Sequence, residues 1–356
     1  MFPNLSLWLR LLLAAATALS VSWLATPPVK RFAESIGAMD VPKDERRVHN
    51  HPIPRMGGLA IFLGFVLSML LFVDMSTQIM GLLLGTVIIA VMGAVDDIVS
   101  LNAWVKLLGQ LLAGIVAIRC GIVVDAVSNF SPAGGTTFLN TNWLSIPLTL
   151  LWIVACTNAV NLIDGLDGLA VGVSTISSLT MLVVSIFVAE PSVSLILAAL
   201  TGACLGFMPY NLNPAKIFMG DVGSQMLGFV LSTASIIGLF KFHAIISFLV
   251  PLLALAVPLA DTAFAFVRRL AHGQSPFHAD RGHFHHRLLA MGMSQKQAVA
   301  VLYGVSAVLG LIAVLMTGES VALRIGCIVA AFAISITVWI FVFRCLPKHS
   351  QTEKEK

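Results

Sequence analysis

The sequence predicts an all-α, polytopic integral membrane protein with about eleven transmembrane helices. Of the 356 residues, 58% are hydrophobic and only 11% are charged, whereas a soluble domain is about half apolar and a quarter charged. The longest polar stretches have roughly thirty residues, too few to bury a core of their own. The chain is therefore expected to be a single transmembrane domain over residues 1–356 that does its chemistry at the membrane surface.

Apolar runs of about twenty residues, the length that crosses a bilayer as a helix, give the predicted spans. They are residues 5–27, 57–75, 78–95, 103–120, 143–162, 168–189, 192–209, 223–240, 244–267, 298–317 and 321–344. The first is predicted to be an uncleaved helix rather than a signal peptide, because Ser22-Trp23-Leu24 continues its apolar run to Pro27. The segment between Val124 and Asn142 is predicted to be a Gly/Ser/Thr/Asn-rich loop.

The Lys and Arg residues orient these helices. With the N-terminus outside, most of them fall in cytoplasmic loops, and only Arg10, Arg119, Lys241 and Arg324 fall in or near the other side. The C-terminus is then cytoplasmic, and the acidic and histidine-rich motifs share the cytoplasmic face, where the active site is expected. Since the positive charges lie in loops rather than on one surface, nucleic acid is not an expected partner.

Four polar residues recur at every third position around the end of the fifth predicted span: Asn158, Asn161, Asp164 and Asp167. On a helix such residues lie one turn apart, so all four could face one pocket. Gly165 and Gly168 allow the backbone to bend or a ligand to approach closely. Capping of a helix end by Asn, Asp and Gly would explain one or two of these residues, but not four.

Asp96 and Asp97 end the third predicted span. Adjacent side chains on a helix point about 100° apart, so the two carboxylates are expected to do different jobs. One can hold a metal while the other meets a substrate or carries a proton. Lys106 is a candidate phosphate contact. The alternatives are a helix end that meets water and an interfacial lysine.

Asp221 lies between Gly220 and Gly223 just before the eighth predicted span. This position suits a hard cation, because Mg²⁺ prefers carboxylate oxygens and keeps waters for phosphate substrates. The alternative is an N-cap for the following helix. Asp261, inside the ninth predicted span, is a functional candidate because acids are rare within membranes. It could equally be tied to Thr262 or to a neighbouring helix.

Two basic loops can reach the same site. One precedes the second span and contains Arg55; the other, between Arg268 and Lys296, contains Arg281, His283, His285, His286 and Arg287. The His-x-His-His pattern resembles a zinc site, but no Cys or Glu completes it and the nearby arginines would repel a cation. Arg and His donors beside carboxylates and Mg²⁺ fit a polyanion such as a pyrophosphate better.

Five motifs occur together and in order. They are Pro54-Arg55-Met56-Gly57-Gly58, Asp96-Asp97, the segment from Asn158 to Gly168, Phe218-Met219-Gly220-Asp221, and His283-Phe284-His285-His286-Arg287. As a set they resemble the polyprenyl-phosphate N-acetylhexosamine 1-phosphate transferases over about residues 29–290. Arg55 and the H-x-H-H-R form look more like enzymes that start teichoic acid, O-antigen or enterobacterial common antigen chains than like phospho-muramoyl-pentapeptide transferases. The latter usually have Thr at the Arg55 position and three histidines followed by an acid.

The resemblance implies a bacterial inner membrane enzyme that moves GlcNAc 1-phosphate from UDP-GlcNAc to undecaprenyl phosphate and releases UMP. It implies Mg²⁺, with Mn²⁺ as a substitute, held by Asp221 with Asn161 and Asp97 nearby. Asp96 resembles the carboxylate that meets the lipid phosphate. Uridine or sugar-nucleotide contacts are implied for Asn158, Asp164 and Asp167, and phosphate or sugar contacts for Lys106, Arg281, His283, His285, His286 and Arg287.

The chemistry asked of such a site is positioning and charge neutralisation, since two polyanions must meet. A phosphate monoester is already largely ionised at neutral pH, with a second pKa of about 6, so a strong general base is optional. A single displacement is favoured over a phospho-enzyme on Asp96. The alternatives outside this class are a proton-coupled transporter, which should carry its acids near mid-membrane, and an intramembrane aspartyl protease. The sequence does not specify which hexosamine is transferred, which polymer is made from the product, or whether the protein forms a homodimer.

Overall fold

The computed structural model describes residues 5–41, 51–124, 126–130, 136–140, 142–239, 246–271, 283–318 and 321–344. Its helices are α1 Leu7–Ser35, α2 Gly58–Phe72, α3 Thr77–Val99, α4 Ala103–Arg119, α5 Ser145–Leu162, α6 Leu169–Phe187, α7 Pro191–Asn211, α8 Gly220–Ala234, α9 Ile246–Ala254, α10 Ala256–Ala271, α11 Phe284–Ala290, α12 Gln295–Leu315 and α13 Val321–Arg344. A π-helical turn, Ser235–Leu239, extends α8, and a 3₁₀ turn, Asn142–Leu144, precedes α5.

Six of the helices in the described part of the chain are long and apolar enough to cross a membrane: α1, α3, α5, α6, α7 and α12. The predicted class, a helical polytopic membrane protein, is thus confirmed. The other five predicted spans fall on α2, α4, α8, α9 with α10, and α13. The count of eleven spans stays a prediction.

Two short strand pairs interrupt the predicted all-α architecture. Strands β1 (Met39–Asp40) and β2 (Ile53–Pro54) pair antiparallel, with Asp40 opposite Ile53. Strands β3 (Ala126–Phe130) and β4 (Thr136–Asn140) form a second antiparallel pair within the predicted Val124–Asn142 loop. The Val, Phe and Thr residues in this segment favour strands, and the Gly and Ser content concealed that preference.

The ninth predicted span is two helices, because proline interrupts its hydrogen bonding. The helix breaks at Leu255, between α9 and α10. Pro258 has no N–H to donate to the carbonyl of Ala254, four residues earlier. The Ser177 hydroxyl of α6 donates to that carbonyl instead, which satisfies a backbone group that the membrane cannot hydrate.

Helix α8 is the centre of the fold. It packs against α2, α3 and α5, and every residue from Gly220 to Ala234 is buried. Around it, α1 packs on α2 and α7, and α6 packs on α7 and α12. The N-terminal end of α8 therefore lies where several helices and their connecting segments converge, and its first residues belong to the Asp221 motif.

Candidate active site

The Arg55 and Asp221 motifs are joined through their backbones. The N–H groups of Gly57 and Gly58 donate to the carbonyls of Phe218 and Met219 at 2.9 and 2.8 Å, and Phe218 N–H donates to the Pro54 carbonyl at 2.8 Å. A Cβ on Gly58 would lie 2.1 Å from the Gly223 nitrogen, so only glycine permits this approach. The pairing places Arg55 beside the start of α8.

Asp97 caps α8 from the neighbouring helix α3. Its Oδ1 accepts the Asp221 N–H at 3.0 Å, and its Oδ2 accepts the Val222 N–H at 3.3 Å. Arg55 Nη2 lies 3.3 Å from Oδ1. The first N–H groups of a helix have no partner within the helix, and a carboxylate is a favourable one because of the helix dipole. Asp97 therefore fixes the start of the helix that carries Asp221.

Asp96 points to a different partner, as the 100° offset predicted. Its Oδ1 accepts the Leu101 N–H at 2.6 Å, and its Oδ2 lies 2.7 Å from Lys106 Nζ. Lys106 Nζ is also 2.7 Å from Asp221 Oδ2. One ammonium thus bridges two buried carboxylates, which compensates charges that would otherwise repel each other at close range.

Asp221 is held at both oxygens. Oδ2 accepts from Lys106 and from Gln225 Nε2 at 2.8 Å, while Asn161 Nδ2 donates to Oδ1 at 3.2 Å. Arg55 Nη2 lies 3.8 Å from Oδ1. The side chain is buried, in the first turn of α8 rather than at its N-cap. A carboxylate with this many donors keeps one fixed orientation.

Asn158 belongs to a buried amide network and does not face the cavity described below. It donates to Gln110 Oε1 at 2.7 Å, and Gln110 Nε2 donates to Gln225 Oε1 at 3.0 Å. Gln225 in turn donates to Asp221. Sequence reasoning missed both glutamines. The available signal was their spacing, because Gln110 lies one helical turn after Lys106 and Gln225 one turn after Asp221, within apolar helices.

A cavity of about 600 Å³ opens at this point, within the range of small-molecule sites. It is lined by Asp40, His51, Ile53, Arg55, Asn161, Asp164, Gly165, Leu166, Asp167, Asn211, Asn213, Pro214, Ala215, Phe218, Gly220, Asp221, His286 and Gln295. The structure thus gathers Arg55, Asn161, Asp164, Asp167, Asp221 and His286 from four separate chain segments. Among the described candidates Asp96, Asp97, Lys106, Asn158, His283, His285 and Arg287 do not line it.

The predicted polar stripe on one helix is interrupted by a turn. Helix α5 ends at Leu162. Gly168, the N-cap of α6, has a φ of +79°, a left-handed conformation that favours glycine. Asp164 and Asp167 therefore sit in the connecting turn. Asp167 Oδ2 accepts from Asn213 Nδ2 at 2.9 Å and from the Ala215 N–H at 3.0 Å. Asn213 also donates to Gln295 Oε1 at 2.7 Å.

Asp164 is half-buried on the cavity wall. Burial, together with the negative charges of Asp221 and Asp97, raises the pKa of Asp164 to about 8, against the attraction of Arg55. The carboxyl group is therefore mostly protonated at neutral pH. A cation in the cavity would favour its ionised form.

The histidine motif reaches the cavity through its last imidazole. His283 Nδ1 lies 2.8 Å from Asp261 Oδ2. The ring of His285 stacks on that of His283 with centroids 5.8 Å apart, and His286 lies 4.3 Å from His285. His285 Nε2 also packs against Gly165, where a Cβ would lie 2.4 Å from it. Arg281 lies outside the described residues.

His285 and Arg287 are both buried. Burial, reinforced by the neighbouring His286, lowers the pKa of His285 to about 3, so that its imidazole is neutral at physiological pH. The guanidinium of Arg287 lies 5.2 Å from the ring centroid of Phe264, a favourable cation–π geometry.

Comparison with known proteins identifies the family. A family model described as "Glycosyl transferase family 4" matches residues 79–239. The chain is 41% identical over 317 residues to a Bacillus subtilis protein named "Probable undecaprenyl-phosphate N-acetylglucosaminyl 1-phosphate transferase", covering 88% of this chain and 87% of the relative. The chain belongs to glycosyl transferase family 4. The resemblance carried by the five motifs is thereby confirmed.

Other family 4 relatives share most of the chain. A Mycobacterium tuberculosis protein named "Decaprenyl-phosphate N-acetylglucosaminephosphotransferase" is 37% identical over 325 residues, covering 83% of this chain and 79% of its own. A Staphylococcus aureus protein named "Phospho-N-acetylmuramoyl-pentapeptide-transferase" is 34% identical over 278 residues, covering 73% of this chain and 83% of its own.

The family 4 site has the donor chemistry of a hard-cation site. Asp221 and Asp164 present carboxyl groups to one cavity and Asn161 lies beside them. Burial and, after it, the negative charge of Asp221 raise the pKa of Asp164. No three His, Cys, Asp or Glu side chains form a complete metal cage among the residues that the structure describes. That donor set fits Mg²⁺, which takes one or two protein carboxylates and completes its shell with water and substrate phosphate.

Proposed function

We propose that this family 4 enzyme transfers GlcNAc 1-phosphate from UDP-GlcNAc to undecaprenyl phosphate, giving undecaprenyl-pyrophosphate-GlcNAc and UMP. The observation that carries the proposal is the cavity in which Asp221, Asp164 and Arg55 converge, with Lys106 bound to Asp221 behind its wall. A reaction between two polyanions needs carboxylates that bind a cation and positively charged side chains that bind phosphate oxygens. The name of the Bacillus subtilis relative supports the acceptor and the sugar.

The proposed topology has eleven spans, an external N-terminus and a cytoplasmic C-terminus, in the cytoplasmic membrane of a bacterium. It rests on the excess of Lys and Arg in alternate loops. The site would then open to the cytoplasm, where a nucleotide sugar is available. The product would be the first lipid-linked intermediate of an envelope polysaccharide.

The proposed reaction is a single displacement. An oxygen of the lipid phosphate attacks the β-phosphorus of UDP-GlcNAc, the bond from that phosphorus to the bridging oxygen breaks, and UMP leaves with the bond's electron pair. Mg²⁺, proposed to be held by Asp221 with Asp164 and Asn161, supplies neutralisation of the diphosphate charge. Arg55 lies where its guanidinium can bind phosphate oxygens.

Asp96 is proposed to act through Lys106. Its two oxygens are engaged by Leu101 N–H and Lys106, and its side chain is buried. These contacts support a role in orienting the ammonium rather than attack on phosphorus. Asp97 is proposed to position Asp221 through the first turn of α8. Its predicted contact with the metal remains a prediction.

The test is transfer of radiolabel from UDP-GlcNAc to undecaprenyl phosphate by purified protein. Asp221→Asn is compared with wild type, with Mg²⁺ and with a chelator. We expect Mg²⁺-dependent lipid product and UMP from wild type, and a loss of about 10²- to 10³-fold in the variant. Asp74→Asn is the matched control. Asp74 is exposed, pairs with Arg10, and lies just before the start of α3, whereas Asp96 and Asp97 lie at the end of that helix.

The choice of donor is tested in the same assay. Product from UDP-MurNAc-pentapeptide and none from UDP-GlcNAc would replace the proposed substrate with that of the Staphylococcus aureus relative. No transfer from any UDP-sugar would refute the enzyme function. Retention of full activity by Asp221→Asn would refute the site.

A further inference from the structure

Asp261 in α10 is a buried acid that the proposed reaction does not use. It is 1% exposed. Burying an unpaired carboxylate costs free energy, so the partners of Asp261 indicate its role. Oδ1 accepts the Phe284 N–H at 2.7 Å, and Oδ2 lies 2.8 Å from His283 Nδ1. Both oxygens thus hold the beginning of the histidine motif.

His283 is the far end of a row of imidazoles that leads to the cavity. It is 6% exposed, and its ring is nearly parallel to that of His285, at an interplanar angle of 8°. His285 meets His286 at a centroid distance of 4.3 Å, and His286 lines the cavity. The three rings thus form a continuous row from Asp261 to the cavity.

We propose that Asp261 is a positioning residue for this row, and that its carboxylate keeps the His283 proton on Nδ1. The inference rests on the proposed function, since it assigns the row to that site. An ionised carboxylate can only accept hydrogen bonds, so Nδ1 must be the donor and Nε2 is left as the acceptor. A partner that fixes one ring nitrogen fixes both the tautomer and the ring orientation.

The row also contacts the acidic turn, the segment between α5 and α6 that carries Asp164 and Asp167. The Nε2 edge of His285 packs directly against Gly165, which follows Asp164. A rotated His283 would displace His285 from its stack, and His285 would then press on the turn that presents Asp164. Asp261 does not line the cavity, and both of its oxygens are hydrogen-bonded to His283 and Phe284, so its contacts with the motif are made at the end farthest from the cavity.

Asp261→Asn tests the tautomer without changing shape. Asparagine can still accept the Phe284 N–H through its oxygen, but its amide group donates to Nδ1 and moves the imidazole proton to Nε2. We expect kcat to fall about 10- to 100-fold, the usual effect of losing a partner that orients a functional imidazole. KM for UDP-GlcNAc should change less than threefold. Asp74→Asn should match wild type.

Two further measurements separate this role from a merely structural one. Nitrogen NMR of ¹⁵N-histidine-labelled protein, with His283 assigned by its absence in His283→Gln, should show an Nδ1–H tautomer in wild type and an Nε2–H tautomer in Asp261→Asn. In addition, Asp261→Asn should cost no further activity in a His283→Gln background, because the two residues act in series.

The inference fails if Asp261→Asn keeps wild-type kcat, if the His283 tautomer is the same in both proteins, or if the two substitutions add fully. These outcomes are distinct from failure of the proposed function. Absence of transfer by the wild-type protein overturns that function, whereas wild-type transfer with an unaffected Asp261→Asn variant overturns this inference alone.

Discussion

The carboxylate of Asp97 accepts the backbone N–H of Asp221 at 3.0 Å, so an acid at the end of α3 sets the position of an acid at the start of α8. Its second oxygen takes the next N–H, from Val222. The two motifs are far apart in the chain but share one hydrogen-bonded unit. Gly220 makes this unit possible, because it lies between the two carboxylates with a φ of +70°.

Gly220→Ala should disrupt this unit. A Cβ on Gly220 would lie 2.3 Å from Asp97 Oδ2, and that carboxylate is held by backbone donors and cannot yield easily. We expect transfer activity to fall at least about 10-fold and the thermal midpoint to drop by several degrees, since positive φ alone costs about 1–2 kcal/mol. Activity and thermal unfolding in detergent measure both effects.

Gly37→Ala is the control for the free-energy cost of placing alanine at a positive φ. Gly37 has a φ of +73°, but nothing lies within 4 Å of its added Cβ. This variant should lose stability without losing activity. Equal activity losses in both variants would contradict a specific role for the contact between Gly220 and Asp97.

Gln225→Met should lower activity through the buried amide network. The substitution keeps a similar shape but removes the hydrogen bond to Asp221 Oδ2 and the acceptor for Gln110. We expect about a 10-fold loss of kcat and a loss of about 1–3 kcal/mol in stability, because the buried Gln110 amide loses its shorter acceptor and keeps only Asn158 Oδ1 at 3.3 Å. Steady-state kinetics and chemical denaturation measure the two effects.

The control for this substitution is Gln78→Met. Gln78, in the first turn of α3 and far from Asp97 at the end of that helix, donates to the Gly121 carbonyl at 2.8 Å. It should keep wild-type kcat. A Gln225→Met enzyme with normal kcat would show that Asp221 does not depend on the network.

Gly165→Ala should lower transfer activity by displacing His285. The new methyl group would lie 2.4 Å from His285 Nε2, which is closer than the two atoms can approach, so the buried ring must shift away from the turn. We expect a loss of at least about 10-fold in transfer activity, whereas Gly304→Ala, with nothing within 4 Å, should match wild type. A fully active Gly165→Ala protein would refute the close contact between the acidic turn and the histidine motif.

The stability of the protein should depend on pH through His285. Its folded pKa of about 3 lies below the unfolded value of about 6.5. Below pH 6.5 the unfolded chain therefore binds a proton that the folded chain does not, and stability falls as pH decreases. From pH 7.5 to pH 5 this group alone should cost about 2 kcal/mol.

The measurement is thermal unfolding of wild type and His285→Gln at pH 7.5 and pH 5. The variant lacks this contribution, so its thermal midpoint should fall less on acidification, whatever its absolute stability. Gly304→Ala, which changes no ionisable group, should keep the wild-type dependence. Identical shifts in wild type and His285→Gln would contradict a neutral, buried His285.

The sequence alone determined the class of the protein and pointed to six of the residues that line its cavity. An apolar run of about twenty residues is a local pattern that indicates a membrane-spanning helix whatever it packs against, so such runs located most of the long helices. The motifs around Asp96, Asn158, Asp221 and His283 identified the residues that meet, because few physical reasons exist for so many polar groups at the ends of apolar helices. The family followed from those motifs in order.

Only the tertiary structure decided what each residue does within the site. Periodicity placed Asn158 and Asp164 on one face, but a turn separates them, and Asn158 faces Gln110 instead. Adjacency of Asp96 and Asp97 could not reveal that one holds Lys106 and the other caps α8. Nor could it reveal that Asp261 holds His283. Such partners come from other helices, and sequence periodicity describes only the helix on which a residue lies.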